Sequence, residues 1–101
     1  MGYSTLFDLS GKTALVTGAR KGIGFAMASV LAEFGADIIA VSSQQSPEDE
    51  LAKIVKGHGR KFESFAVDLR NRDETKSFIS KVVDRPIDIL VNNAGLANRA
   101  V

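Results

Sequence analysis

At 101 residues the chain makes one domain at most, of a size that buries about two-thirds of the surface its unfolded form exposes. Thirteen Lys and Arg balance twelve Asp and Glu, with no basic run to follow a phosphate backbone or an anionic membrane, so the composition is that of a soluble globular protein without a nucleic-acid partner. There is no cysteine, which excludes disulfides, thiolate zinc sites and thiol catalysis, and no apolar run of the roughly 18 residues that span a bilayer.

Thr13 to Val16 is a short apolar, β-prone stretch. A glycine-bearing turn follows, Thr17-Gly18-Ala19-Arg20-Lys21-Gly22-Ile23-Gly24, and then a helical pattern that puts Ile23, Met27, Val30, Leu31 and Phe34 on one face. Gly35 is placed to close that helix as a left-handed C-cap. Asp37 to Val41 reads as a second strand, buried on both faces because Ile38-Ile39-Ala40-Val41 is apolar without alternation.

Ser46-Pro47-Glu48-Asp49-Glu50 carries an N-cap hydroxyl, a proline at the first helical position and acids for the positive end of the dipole, predicting a second helix to about Lys56. Gly57-His58-Gly59 breaks it, and Lys61 to Val67 reads as a third strand. From about Asn71 to Val83, Phe78, Ile79, Val82 and Val83 fall at helical spacing until Pro86 stops the pattern. Ile87 to Val91 is a fourth apolar strand, ending in Asn92-Asn93-Ala94-Gly95. The order β-α-β-α-β-α-β, with helices of this length between strands, requires right-handed crossovers, and the fold class expected is α/β: part of a doubly wound parallel sheet.

Gly18, Gly22 and Gly24 sit where a strand hands over to a helix, at the carboxyl end of the strand, where open α/β sheets bind their ligands. Backbone N–H groups at such a helix start can hold a phosphate, and glycines let the pyrophosphate approach. The same glycines would also serve close strand–helix packing with no ligand at all. The spacing Gly-x-x-x-Gly-x-Gly differs from Gly-x-Gly-x-x-Gly and lacks the Gly-Lys-Ser/Thr ending of a P-loop, so a kinase or ATPase is excluded.

Thr17-Gly18-x-x-x-Gly22-x-Gly24, with Asn92-Asn93-Ala94-Gly95 after the fourth strand, resembles the paired signatures of the short-chain dehydrogenase/reductase family. Val67-Asp68-Leu69 after the third strand is similar to a third family feature, and Leu9-Ser10-Gly11-Lys12 to its lead-in. The resemblance implies a partial Rossmann-type NAD(P)-binding domain over 1–101, the front of an oxidoreductase that interconverts a secondary alcohol and a carbonyl. By the same resemblance Asp68 and Leu69 contact the adenine, while Asn92, Ala94 and Gly95 lie beside the cofactor and Asn93 is structural. Asp68 could equally cap a helix, and Asn92 bond its own backbone.

An acid at the end of the second strand would hold the ribose hydroxyls of NAD and repel the extra phosphate of NADP. That end carries Ser42 and Ser43, and the glycine loop carries Arg20 and Lys21, so the cofactor-binding set is expected to prefer NADP, with NAD as the alternative. Arg20 and Lys21 could also be two solvated cations, their field reduced by Glu48, Asp49 and Glu50. Ser42 also argues against the remaining rival, an S-adenosylmethionine methyltransferase, which needs an acid there.

The family's acid/base pair is a tyrosine with a lysine four residues on. The only tyrosine here is Tyr3, followed at that spacing by Phe7, and His58 between two glycines reads as a solvated loop residue. The chain alone is therefore expected to be inactive, to expose apolar faces and to self-associate. The absence of cysteine fits a reducing compartment, with the cytoplasm as the expected location, and in full-length form the resemblance implies a homodimer or homotetramer acting on a small carbonyl or alcohol. A truncated, non-catalytic nucleotide-binding module is the alternative.

Overall fold

The structure, a computed structural model, describes residues 8–93. Seven elements follow in order: β1 (Thr13–Thr17), α1 (Gly22–Glu33), β2 (Asp37–Ser42), α2 (Glu50–Gly57), β3 (Phe62–Ala66), α3 (Arg72–Val82) and β4 (Ile89–Asn92). The four strands form one parallel sheet in the order β3-β2-β1-β4.

Successive side chains of a strand point to opposite faces, and both faces are covered over β1 and β2, whereas Leu90 of β4 is left 67% exposed. Ala14, Val16, Ile38 and Ala40 point to the side of α1 and α2, where they pack with Ala28, Ala32, Leu51 and Val55. Leu15, Ile39 and Val41 point the other way, onto Val67 and onto Phe78 and Val82 of α3. Two cores sharing one sheet explain why β1 and β2 are apolar without alternation. Burying a side chain such as Leu51 or Val55 contributes about 1.5–3 kcal/mol.

Helix α1 differs from expectation in the face it buries. Gly24, Ala28 and Ala32 face the sheet, at a spacing of four, while Ile23, Met27 and Val30 are 66%, 41% and 47% exposed. Leu31 and Phe34 are half-buried. The small stripe lets the helix lie close to β1 and β2, and the bulky stripe is left on the outside. In α3, likewise, Phe78 and Val82 are buried while Ile79 and Val83 are exposed.

Gly35 does close α1. Its φ is +110°, its N–H donates to the carbonyl of Ala32, and that of Ala36 donates to Leu31, the paired bonds that satisfy a helix's last carbonyls. The start of α2 lies three residues later than the Ser46-Pro47 signal suggests. Ser46 opens a turn instead, with Glu48 N–H donating to its hydroxyl at 3.1 Å. Asp49 is the N-cap, accepting from Ala52 N–H at 3.0 Å and from the buried Gln45 amide at 2.6 Å.

Candidate functional site

The sheet order reverses beside β1: β2 and β3 lie to one side of it and β4 to the other. Ligands of open α/β sheets bind at this reversal, beyond the carboxyl ends of the strands. The loop after β1 and the residues after β4 meet there, because Thr17 and Asn92 are partners in the register of the two strands.

Thr17, almost fully buried, joins them. Its hydroxyl accepts from the backbone N–H of Asn93 at 2.9 Å and lies 3.1 Å from the Asn92 Oδ1 to which it can donate. Asn93 Nδ2 in turn donates to the carbonyl of Gly18 at 3.4 Å. On the other side Gly18 N–H donates to Val41 at 2.7 Å. The loop is thus pinned both to β2 and to the end of β4.

From Gly18 the chain turns into α1 through Gly22, both at positive φ. Lys21 stands at the N-cap position with extended backbone and makes no side-chain cap, and the first turn of α1 contains no acid. Gly24 faces back onto the loop: a Cβ there would lie 2.1 Å from the Gly18 carbonyl oxygen and 2.9 Å from Asn93 Nδ2. The glycine is required by this contact, whatever binds beyond it.

A cleft of about 290 Å³ opens beside the loop, lined by Gly18, Arg20, Lys21, Ser42, Ser43, Gln44 and Asn93. Two cations line it and no carboxylate does. Asp49, one of the acids expected to reduce their field, is turned onto Ala52, Gln45 and Ser46. Arg20 reaches across the cleft, its Nη1 donating to the Gln44 carbonyl at 2.7 Å.

The structure thus brings Gly18, Arg20, Lys21, Ser42 and Ser43 together. Gly22 and Gly24 build the loop behind them, and Ile23 projects outward. Asn92 is exposed at the end of β4, while Ala94 and Gly95 lie outside the described residues, as does Tyr3. Leu69 packs on the core under α3. Asp68 accepts from Arg70 Nε at 3.1 Å and from Arg70 N–H at 3.0 Å, and the Arg70 side chain holds its carboxyl below the usual range. The cap of α3 is Asn71 instead, accepting from Glu74 N–H, and Glu74 reaches back to Asp68 N–H at 3.0 Å. His58 is an exposed residue at the end of α2.

Sequence reasoning passed over two lining residues. Asn93 was expected to be structural, and it both pins the loop and faces the cleft. Gln44 contributes through its backbone carbonyl, which leaves no mark in the sequence.

A parallel sheet with a glycine loop at its switch point defines the class of protein: an α/β domain built to bind a nucleotide. The family model for short chain dehydrogenase matches residues 12–101, and the chain belongs to that family. It is 50% identical over 97 residues to a 2-dehydro-3-deoxy-D-gluconate 5-dehydrogenase of Pseudoalteromonas atlantica, covering 93% of this chain and 38% of the relative. A 3-oxoacyl (acyl-carrier-protein) reductase of Agrobacterium tumefaciens, solved with NADP bound, superimposes with a TM-score of 0.77 at 35% identity, over 90% of this chain and 36% of that one. Carveol dehydrogenase of Mycobacterium avium, solved with NAD, gives 0.71 at 33%, over 85% and 36%. The chain therefore spans under two fifths of the length of these relatives.

Proposed function

We propose that these residues form the cofactor-binding front of an NAD(P)-dependent oxidoreductase that interconverts a secondary alcohol and a carbonyl, and that the cofactor preferred is NADP. The observation that carries the preference is the cleft itself, which has Arg20 and Lys21 on one wall, Ser42 and Ser43 on the other, and no acid. An acid at the end of β2 would favour two ribose hydroxyls, whereas two cations and two hydroxyl donors favour a phosphate.

The glycine loop suits a dinucleotide on three counts. The first turn of α1 has neither a side-chain cap nor an acid, which leaves its N–H groups for a pyrophosphate. Gly24 allows the loop to fold flat against the helix. By the family resemblance Asn92, Ala94 and Gly95 are assigned to the nicotinamide half and Asp68 to the adenine, while Leu69 supports that loop from the core. Bound there, the nicotinamide would supply or accept the hydride. These residues bind and orient it.

Proton transfer needs a separate acid/base group. The 101 residues contain no tyrosine with a lysine four positions on, so the activity is assigned to a protein that carries them together with such a pair. The sheet would then be the front part of one subunit in a cytoplasmic oligomer. The test is the affinity of the intact protein for NADPH and NADH by fluorescence titration. Tighter binding of NADPH is expected, and equal binding or a preference for NADH overturns the assignment.

A further inference from the structure

The order β3-β2-β1-β4 leaves β3 at one edge of the sheet, with no strand beyond it among the described residues. Its inner bonds fix the direction of its outer groups. Ile38 N–H donates to the Lys61 carbonyl at 2.9 Å and Val67 N–H to the Ser42 carbonyl at 2.9 Å, in a register that sets Ile38 beside Phe62 and Ser42 beside Ala66. Every second residue of a parallel strand bonds to one neighbour, so Lys61, Glu63, Phe65 and Val67 serve β2. The N–H and C=O groups of Phe62, Ser64 and Ala66 are therefore directed away from β2, along the free edge.

Proteins close such an edge with proline, lysine, a bulge or an unpaired charge. From Phe62 to Ala66 there is no proline and no lysine, and the one charge, Glu63, is bonded by Arg85. The edge is polarised along its length. Lys61 and Arg85 stand at the start of β3, while beyond its end Glu74 Oε1 accepts from Asp68 N–H at 3.0 Å. A groove of about 300 Å³ runs beside the strand, with Glu74 towards that acidic end and Lys81, four positions before Arg85, towards the basic one.

An antiparallel partner related by a twofold axis sets the basic end of one edge against the acidic end of the other. Centred on Ser64, the pairing puts Ser64 opposite Ser64 and Phe62 opposite Ala66, a large side chain beside a small one, and each pair exchanges both its backbone bonds. On the other face Glu63 meets Phe65 of the second copy, a ring that carries an Arg85 guanidinium 5.9 Å from its centroid. Centred on Glu63 instead, the pairing would oppose two like charges, and centred on Phe65 it would set Phe62 against Asp68.

We propose that the free edge of β3 pairs antiparallel with β3 of a second copy of this chain, about a twofold axis at Ser64, joining two sheets into one. The pairing is independent of the cofactor assignment and says which surface joins two subunits.

The experiment uses the intact protein and two substitutions at the axis. Ser64→Cys places two thiols opposite each other, in a pair whose Cα atoms stand about 5.5 Å apart, within disulfide reach. The 101 residues contain no cysteine of their own, and Ser80→Cys, exposed on α3, is the control. Oxidised glutathione is expected to crosslink the Ser64→Cys subunits in pairs and to leave Ser80→Cys uncrosslinked. Ser64→Lys brings two ammonium groups together at the axis. It is expected to halve the mass in solution measured by sedimentation over a range of concentrations, and to leave the fold intact by circular dichroism. A monomeric wild type, an unchanged mass for Ser64→Lys, or no crosslink through Cys at position 64 each overturns the pairing. A thiol there that also resists maleimide shows that another segment of the same subunit covers the edge, which overturns it as well.

Discussion

Gly24→Ala adds one methyl group at the tightest point of the site. The new Cβ would stand 2.1 Å from the Gly18 carbonyl oxygen and 2.8 Å from its carbon. A carbon and a carbonyl oxygen approach to about 3.3 Å, so loop and helix must part by roughly 1 Å. Neither can do so freely: Gly18 is bonded to Val41 and Asn93, and α1 is packed by Ala28 and Ala32. Alanine gains about 1 kcal/mol over glycine from helix propensity, and overpacking against backbone costs about 1–3 kcal/mol or more. Because the obstacle is backbone, the upper end of that cost applies, and the variant should lose about 2 kcal/mol net. In a domain of the relatives' length, of which this chain spans under two fifths, that lowers the melting temperature by roughly 4–8 °C. Thermal unfolding of the intact protein reads this directly, with dinucleotide affinity measured alongside and expected to fall. An alanine variant as stable as the wild type, binding equally well, would falsify the argument that this contact requires glycine.

Thr17→Val keeps the shape of the side chain and removes the oxygen that accepts from Asn93 N–H, which should cost about 1–3 kcal/mol and weaken dinucleotide binding, while Thr17→Ser should restore both. Urea unfolding compares the three proteins, and a valine variant matching the wild type would show that the hydroxyl does not join the strands. At the opposite end of the sheet Arg85 bonds Glu63 through both guanidinium nitrogens, with Nη2 and Oε2 2.7 Å apart. These hydrogen bonds hold the Glu63 carboxyl below its ordinary 4.5. A carboxyl whose pKa is lowered by folding stabilises fully above its unfolded value and loses that contribution as pH falls through the folded one. Glu63→Gln should therefore cost less than about 1 kcal/mol at pH 7, the pair being part-exposed, and should lose less stability than the wild type on acidification below pH 4.5. Urea midpoints on either side of that pH decide it, and equal acid sensitivity in the two proteins would count against the pair.

β1, β2 and β4 were legible because each is a short apolar run between turn residues, β3 because it lies between the Gly57-His58-Gly59 break and the next helical pattern, and their order implied the parallel sheet. Which face of α1 is buried was not legible. Its sequence has a bulky stripe through Ile23, Met27 and Val30 and a small one through Gly24, Ala28 and Ala32, and periodicity finds both without ranking them. The sheet chose the small stripe because only that lets the helix approach a loop as close as Gly18. The start of α2 was misplaced because serine and proline suit a turn as well as a helix start, and Asp49 had the better reach to Ala52. Within the site, glycine spacing located the loop, but contacts made by backbone atoms, such as the Gln44 carbonyl on Arg20, depend on the fold alone.

The two family signatures act as one device. Strand, loop and helix from β1 to β2 carry the glycines, yet the loop's inner side is set by Asn93, which donates to the Gly18 carbonyl from 75 positions away. A unit of β1, α1 and β2 alone would keep the bond from Gly18 to Val41 and lose those to Asn92 and Asn93, leaving the buried Thr17 hydroxyl without the partners that β4 brings. The geometry that opens α1 towards a phosphate is therefore completed only when β4 docks beside β1. Because β4 enters through the crossover of α3, its docking depends on the core that Phe78 and Val82 form against the sheet. Substitutions in that second core should then weaken nucleotide binding even though none of its residues lines the cleft.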